Sequence, residues 1–139
     1  MTLIQDDDAI LRIAKQAKRV AVLGIKTEDA AGQPAFYVPQ TLARLGVSIV
    51  PIPIYYPDTT HILGKPVFRR VSDVPGEIDI LDVFRRPSDL MAHVEDIVRK
   101  KPRLVWLQSG IRSEAFALAM HEAGIDVVED RCLMVEFQR

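Results

Sequence analysis

The sequence predicts an α/β protein of the Rossmann-like type, with an open parallel sheet of about five strands and helices on both faces. Apolar runs of strand length alternate with segments of helical length, which is typical of parallel sheets. The apolar runs are nearly continuous, as expected for strands covered on both faces. The chain has 139 residues, so residues 1–139 are predicted to form one domain.

Five apolar runs are predicted to form the sheet. They are 19–25 (RVAVLGI), 47–54 (VSIVPIPI), 78–84 (IDILDVF), 103–108 (RLVWLQ) and 125–130 (IDVVED). Pro51 and Pro53 mark the end of regular pairing in the second run, because proline has no N–H for a neighbouring strand. Residues 55–77 form the longest irregular stretch, where a short strand is predicted at 66–68 and a helical turn at 72–74.

Four segments are predicted to be helices, namely 6–17, 34–46, 88–101 and 113–124. The first carries three acids at 6–8, where negative charge favours a helix N-terminus. Ser88 and Ser113 are predicted N-caps, and Gly46 and Gly124 are predicted C-terminal stops.

Two further segments leave their structure open. Pro39 lies six positions into 34–46, so the helix either begins near Val38, with Pro39 in its first turn, or is kinked. The alternation of residues 132–139 (CLMVEFQR) is weak, which predicts a short strand or a loop.

The composition excludes several classes of protein. A formal net charge of −1 argues against DNA binding through bulk charge, and no apolar run is long enough to span a bilayer. Acids occupy the N-terminus where a signal peptide has basic residues, so we expect a cytosolic protein. Cys132 is the single cysteine, which excludes an internal disulfide. The three histidines have no zinc-like spacing.

The strand ends are the predicted ligand site. In open parallel sheets, ligands bind at the carboxyl ends of the strands, near the switch in strand order. These ends carry 24–26, 51–54, 84–86 and 108–110. The GxGxxG fingerprint is missing, and no acid ends the second strand, which argues against NAD. Gly24, followed by a loop and a helix N-terminus, still offers backbone N–H groups to a phosphate.

Six segments in order resemble the small single-domain CoA-binding proteins, relatives of the CoA-binding domain of succinyl-CoA synthetase. They are VAVLGI, IVPIPI, ILGKPVF, DILDVFRR, VWLQSGI and EAGIDVVEDRC, and the resemblance covers about residues 10–137. It implies coenzyme A as the ligand, with adenosine and phosphates over the strand ends. Lys26 stands where the family usually has serine, and Pro53 where it has asparagine; Lys26 is expected to act as a phosphate partner instead.

This resemblance, together with the strand ends, implies a set of ligand-binding residues. They are Gly24, Ile25, Lys26, Pro51, Ile52, Pro53, Phe84, Arg85, Met91, Gln108 and Gly110. Several of them also have a structural interpretation: Gly24 as an ordinary βα turn, residues 51–53 as a strand end, and Met91, like Val94, as helical core.

The paired arginines have two interpretations as well. At least one of Arg85 and Arg86 contacts a ligand phosphate, with Arg85 favoured. Otherwise one or both pair with nearby acids, such as Asp82 or Asp79, or lie at a subunit contact.

The closing DRC segment is expected to shape the pocket. Asp130 and Arg131 are predicted to pair and fix the loop, while Trp106 is predicted to lie in the core. Cys132 is interpreted as a buried small apolar residue; a mixed disulfide with the CoA thiol is the alternative.

The predicted function is binding of CoA or an acyl-CoA, a small-molecule ligand, with no evident catalytic activity and no nucleic acid or membrane partner. No nucleophile elbow such as GxSxG occurs. Two alternatives stay open. One is an enzyme acting on a nucleotide or acyl-CoA, with Asp82, His61 or Glu114 as acid or base. The other is a domain that binds NAD(P) or acts through protein partners. A homo-oligomer is also left open.

Overall fold

The computed structural model describes residues 3–139 and contains the predicted five-stranded parallel sheet with helices on both faces. In chain order the elements are α1 (Asp7–Gln16), β1 (Arg19–Leu23), α2 (Pro34–Arg44), β2 (Ser48–Ile52), β3 (His61–Ile62), β4 (Lys65–Pro66), β5 (Ile80–Val83), α3 (Val94–Lys100), β6 (Leu104–Leu107), α4 (Glu114–Glu122), β7 (Asp126–Val128) and α5 (Leu133–Gln138). Short 3-10 helices lie at Glu28–Ala30, Val71–Asp73 and Pro87–His93.

The strand order creates a switch point between β1 and β5. The sheet runs β2-β1-β5-β6-β7, and each neighbouring pair is parallel. The chain leaves β1 toward β2 and then returns to the opposite side of β1 to form β5. The helices that follow β1 and β5 therefore cover opposite faces, and a crevice opens at the strand ends between them.

The core has two layers, one on each face of the sheet. In β1, Val20 and Val22 face the side covered by α1, α2 and α5, whereas Ala21 and Leu23 face the side covered by α3 and α4. Both faces are therefore apolar, which explains why the strands form continuous apolar runs.

Several predicted helix ends are confirmed. Asp6 Oδ2 accepts the backbone N–H of Ala9, and Ser113 Oγ accepts that of Phe116. The glycine stops at 46 and 124 both have positive φ, as expected just beyond a helix.

The structure corrects two helix starts. Helix α2 begins at Pro34 and holds Pro39 inside it, so the alternative of a helix beginning near Val38 is wrong. Ser88 is not an N-cap, because the 3-10 helix Pro87–His93 begins one residue earlier, and its first residue, proline, already has the φ of a helical turn. The α-helix proper starts only at Val94.

The C-terminal segment is a helix, so the prediction of a strand or loop there is wrong. Leu133 and Glu136 are buried, one turn apart, and α5 packs against α1 and α2. Glu136 accepts from Arg139 Nε at 3.1 Å, so the buried face includes a charged residue. Because a charged residue occupies this buried position, the apolar residues alone do not show the helical period.

The long connection 55–77 contains more structure than its composition suggests. The strands β3 and β4 form a small antiparallel pair, and the predicted helical turn is the 3-10 helix Val71–Asp73. Arg69 donates to the carbonyls of Tyr55, Tyr56, Pro57 and Thr59, and so holds the loop that follows β2. In residues 3–139, no helix has the length and apolar character needed to cross a membrane.

Candidate functional site

A cleft of about 900 Å³ lies over the carboxyl ends of β1, β5 and β6, between the N-terminus of α2 and helix α5. Its volume lies in the range of ligand sites, roughly 300–1,000 Å³. The walls are formed by Lys26, Gln33, Pro34, Ala35, Tyr37, Val38, Tyr55, Phe84, Arg85, Arg86, Pro87, Gln108, Ser109, Ile111, Cys132, Met134 and Val135. Four predicted site residues, Lys26, Phe84, Arg85 and Gln108, are among them.

Gly24 brings the end of β1 into close contact with the end of β5. Its φ is +87°, and a Cβ at this position would overlap the carbonyl oxygen of Phe84. Its N–H donates to the carbonyl of Ile52 at 2.9 Å. Any other residue would push the two strand ends apart at the switch point.

The N-terminus of α2 forms one wall of the cleft. Gln33 is its N-cap residue but does not cap it with its side chain; instead, the side-chain oxygen of Gln33 accepts from Lys26 Nζ. The backbone N–H of Lys26 donates to the carbonyl of Ala35 at 3.1 Å. No acid occupies the first turn. The positive end of the helix dipole and the Lys26 ammonium are therefore close together.

The two arginines after β5 have different surroundings. The side chain of Arg85 is 16% exposed, whereas that of Arg86 is 79% exposed. Arg85 Nε donates to His93 Nε2 at 3.2 Å, and its Nη2 lies 3.8 Å from Asp89 Oδ2. That same carboxylate oxygen accepts from Arg86 Nε at 3.0 Å. The Arg86 hydrogen bond is the main cause that lowers the pKa of Asp89.

The alternative that these arginines pair with a nearby acid is met by Asp89, but the two acids named for it, Asp79 and Asp82, are the wrong partners. Asp79 Oδ2 accepts the backbone N–H groups of Lys18 and Arg19 at 2.9 and 3.0 Å, at the opposite end of the sheet. Asp82 is fully buried in the central strand, and neither of its carboxylate oxygens has a hydrogen-bond partner among the described residues. Burial raises the pKa of Asp82 well above its ordinary value.

The other end of the cleft is built on β6 and α5. Gln108 is buried, and its side-chain oxygen accepts the backbone N–H of Leu133 at 3.0 Å, which fixes the start of α5. Trp106 is fully buried, as predicted, and its Nε1 donates to the carbonyl of Arg131 at 2.8 Å. Cys132 is half-buried on the cleft wall, so the prediction of a buried cysteine is wrong.

Asp130 and Arg131 do not hydrogen-bond to each other, contrary to prediction. Asp130 accepts the backbone N–H of Gly110 at 2.7 Å and pairs with Arg112 at 3.0 Å. The Gly110 bond is the main cause that lowers the pKa of Asp130. Arg131 pairs with Asp7 at 2.5 Å instead, because the turn directs the two neighbouring side chains to different elements.

The remaining predicted site residues lie outside the cleft walls. Ile25, Ile52 and Pro53 are buried behind them, as is Pro51, whose carbonyl accepts the N–H of Phe68. Met91 is 49% exposed on the 3-10 helix Pro87–His93, and Gly110 is exposed.

The candidate acid-base residues are not gathered around the cleft either. His61 and Glu114 are absent from its walls. Residues 3–139 contain no cluster of three or more metal-binding side chains.

Sequence reasoning missed several wall residues, namely Tyr37, Val38, Tyr55, Ile111, Met134 and Val135. Tyr55 follows the second strand end directly, and Tyr37 and Val38 lie in the first turns of a helix that begins at Pro34. The sequence could therefore have predicted these three residues as part of the site. The two residues of α5 carried no signal, because the helix itself was not predicted.

A Rossmann-like sheet with a cleft at its switch point, cationic at one end and apolar at the other, defines a ligand-binding domain suited to a phosphorylated organic molecule. The family model of the CoA binding domain matches residues 18–138. This protein belongs to that family, and the family supports a CoA-binding role.

Individual relatives and solved structures are similar to this chain over most of its length. An uncharacterized protein of Bacillus subtilis, YneT, is 28% identical over 126 residues, which cover 91% of this chain and 90% of that protein. A solved structure from Thermus thermophilus is 42% identical with a TM-score of 0.86, and the match covers 97% of this chain and 98% of that one. A hypothetical protein from Pyrococcus horikoshii is 27% identical with a TM-score of 0.84, covering 97% and 92%.

Proposed function

We propose that this protein binds CoA or an acyl-CoA in the cleft, with the ligand phosphates at the β1/β5 end. The proposal rests on the burial and the hydrogen bonds of the Arg85 side chain. Its guanidinium lines the cleft, is largely shielded from solvent and has no hydrogen bond to a carboxylate among the described residues. A shielded cation without an anionic hydrogen-bond partner is a ready site for a phosphate.

Three further features support phosphate binding at this end. Lys26 contributes a second cation, and the first turn of α2 adds the positive end of an eleven-residue helix. Gly24 allows the end of β1 to approach the Phe84 carbonyl at the end of β5, so Lys26 and Arg85, which follow these two strands, line the same cleft. Lys26 replaces the serine usual in the family, and an ammonium there attracts phosphate as a point charge.

The opposite end suits the uncharged part of the ligand. Its walls at β6 and α5 are formed by Gln108, Ser109, Ile111, Cys132, Met134 and Val135, which include no charged side chain. We propose that the pantetheine chain, and any acyl group, lies against this apolar surface. Ile25, Pro51, Ile52 and Pro53 then act as the buried support of the site, and we assign no ligand contact to Met91 or Gly110.

The test is ligand-dependent stabilisation. CoA at about 100 times its dissociation constant stabilises the folded state by about 2.7 kcal/mol, which raises the melting temperature. NAD and NADP at the same concentration should leave it unchanged. A melting temperature that CoA does not change, together with no CoA detected by mass spectrometry of the purified protein, contradicts the proposal. A shift with NAD alone points to the dinucleotide alternative.

A further inference from the structure

His93 contacts the Arg85 guanidinium from behind the cleft wall. The ring is half-buried at the end of the 3-10 helix Pro87–His93, and its Nε2 lies 3.2 Å from Arg85 Nε. A guanidinium only donates hydrogen bonds, so Nε2 must be the acceptor and carry no proton. The contact therefore requires the neutral ring with its proton on Nδ1.

This contact leaves the outer edge of the guanidinium for a ligand. Nε is used by His93, and Nη2 is 3.8 Å from Asp89 Oδ2, beyond hydrogen-bond distance. The Asp89 oxygen is itself occupied by Arg86 Nε at 3.0 Å. The two terminal nitrogens of Arg85 form the planar fork that matches two phosphate oxygens.

We infer that His93 is a positioning residue for phosphate binding: the neutral ring holds the Arg85 fork toward the cleft, and protonation of the ring releases it. This inference rests on the proposed function, because the phosphates of CoA or acyl-CoA are the ligand that the fork binds. His93 acts through Arg85 and is not itself part of the cleft wall.

Burial and the Arg85 charge favour the neutral ring of His93. Burial is the main cause that lowers the pKa of His93, and the Arg85 charge adds to it, while Asp96 and Asp89 act in the opposite direction. Asp96 is already engaged by the backbone N–H groups of Val71 and Ser72. An imidazolium would lose the bond to Arg85 and repel it. The affinity for phosphate should therefore be highest at a pH above the ordinary pKa of histidine. It should fall as the pH drops through the lowered pKa of His93.

The first test measures dephospho-CoA binding by calorimetry between about pH 8 and about pH 5, a range that brackets the titration of histidine. Dephospho-CoA lacks the phosphomonoester whose own ionisation near pH ~6 would obscure the result. Wild-type affinity should fall about tenfold toward the acidic end, the value of one charge-assisted hydrogen bond. His93→Gln supplies an acceptor that does not titrate, so its affinity should stay within about threefold of wild type at pH ~8 and not change with pH.

His93→Ala is the complementary variant. It lacks any acceptor for Arg85, so its affinity should be about tenfold lower than wild type at the alkaline end, with little change on acidification. Melting curves of both variants should be recorded to check that they are folded. A wild-type affinity that does not vary with pH, or a His93→Gln protein that titrates like wild type, overturns the inference.

The second test is an NMR titration of the ring nitrogens in the protein without ligand. The expected result is the Nδ1–H tautomer with a pKa below the ordinary value; an Nε2–H tautomer overturns the inference. The two tests separate the possible failures. If the tautomer is as expected but neither CoA nor dephospho-CoA binds at any pH, the proposed function fails and the phosphate role fails with it. If dephospho-CoA binds equally well to wild type and to His93→Ala, only the inference fails.

Discussion

Arginine is used differently at the β1/β5 end of the cleft and in the loops outside the wall of its β6/α5 end. In those loops, Arg112 pairs with Asp130 at 3.0 Å and lies 3.8 Å from Glu129. Arg131 pairs with Asp7 at 2.5 Å and lies 3.8 Å from Glu136. Each of these two cations has one carboxylate within hydrogen-bond distance and a second at 3.8 Å. They connect the loop after β7 to α1, α5 and the loop after β6.

At the β1/β5 end, the balance is incomplete. Arg85 is hydrogen-bonded to the imidazole of His93 and, within residues 3–139, to no carboxylate; the nearest carboxylate oxygen, Asp89 Oδ2, lies 3.8 Å from its Nη2 and is hydrogen-bonded to Arg86. Lys26 is bonded to the amide of Gln33. An arginine with a hydrogen-bonded carboxylate supports the framework, whereas a shielded arginine without one marks the place where an anion is expected.

The largest expected effect comes from Gly24→Ala at the β1/β5 end. The added methyl overlaps the Phe84 carbonyl, and φ is +87°, so the variant should lose about 3 kcal/mol or more of unfolding free energy. Chemical denaturation measures this loss. Gly110→Ala is the matched control at the end of β6, because φ is +83° but no described atom beyond the two neighbouring residues lies within 4 Å of the added Cβ. Its loss should be limited to backbone strain, about 1 kcal/mol. Equal losses would show that the close approach of the strand ends is unimportant.

The next effect separates binding from stability. Arg85→Ala should weaken CoA binding by about 10- to 100-fold, the value of one or two hydrogen bonds to a charged group, and leave the melting temperature nearly unchanged. Calorimetric titration with CoA and a melting curve measure the two quantities.

Two variants serve as controls for Arg85→Ala. Arg86→Ala should have a smaller effect on affinity, because its side chain is 79% exposed and bonded to Asp89. Arg112→Ala should lower stability by about 1 kcal/mol or less, as for other exposed ion pairs, without changing affinity. If CoA affinity depends on Arg112 and not on Arg85, the assignment of the ligand phosphates to the β1/β5 end is wrong.

A smaller effect on stability is expected at Asp82, a buried acid that has no cationic partner among the described residues at either end of the cleft. Burial raises the pKa of Asp82 in the folded state, so its contribution to stability is present in acid and is lost as the pH rises from the unfolded value toward the folded one. Asp82→Asn cannot ionise, so it should be more stable than wild type by about 1–2 kcal/mol at neutral pH. Denaturation across the pH range tests this.

Asp79→Asn is the matched control on the same segment. Its carboxylate accepts two backbone N–H groups, so the substitution should destabilise the protein rather than stabilise it. If Asp82→Asn is less stable than wild type at neutral pH, the buried carboxyl has a partner that the structure does not contain.

The smallest effect is expected for Lys26→Ser, which restores the residue usual in the family. The loss of one flexible ammonium near a ligand phosphate should lower CoA affinity by about two- to fivefold, as for partly exposed ion pairs. The salt dependence of binding should also decrease, because screening acts on the remaining charges. Unchanged affinity and salt dependence would place Lys26 outside the phosphate contacts.

The sheet was predictable because its strands carry a signal that is local. Continuous apolar runs such as 19–25 and 103–108 specify strands buried on both faces, and the alternation with helices specifies a parallel order. The strand ends then placed Lys26, Phe84, Arg85 and Gln108 near one edge, and all four lie on the cleft walls.

The features that could not be predicted depend on contacts between residues distant in sequence. The apolar period of α5 is interrupted by Glu136, which is buried beside Arg139 and Arg131. The partners of Asp130 and Arg131 come from positions 112 and 7, and no local pattern connects them. The His93 contact with Arg85 also depends on the 3-10 turn between them, which a proline at its start favours but does not specify.

Trp106 gives this fold an optical reporter of its own. It is the single tryptophan in the chain, fully shielded from water, and its indole N–H is bonded to the carbonyl of Arg131, immediately before Cys132 on the cleft wall. A ligand that shifts this backbone alters the polarity felt by the indole. The emission of the unlabelled protein should therefore change when the cleft fills, so binding can be followed without attaching a dye or altering a residue.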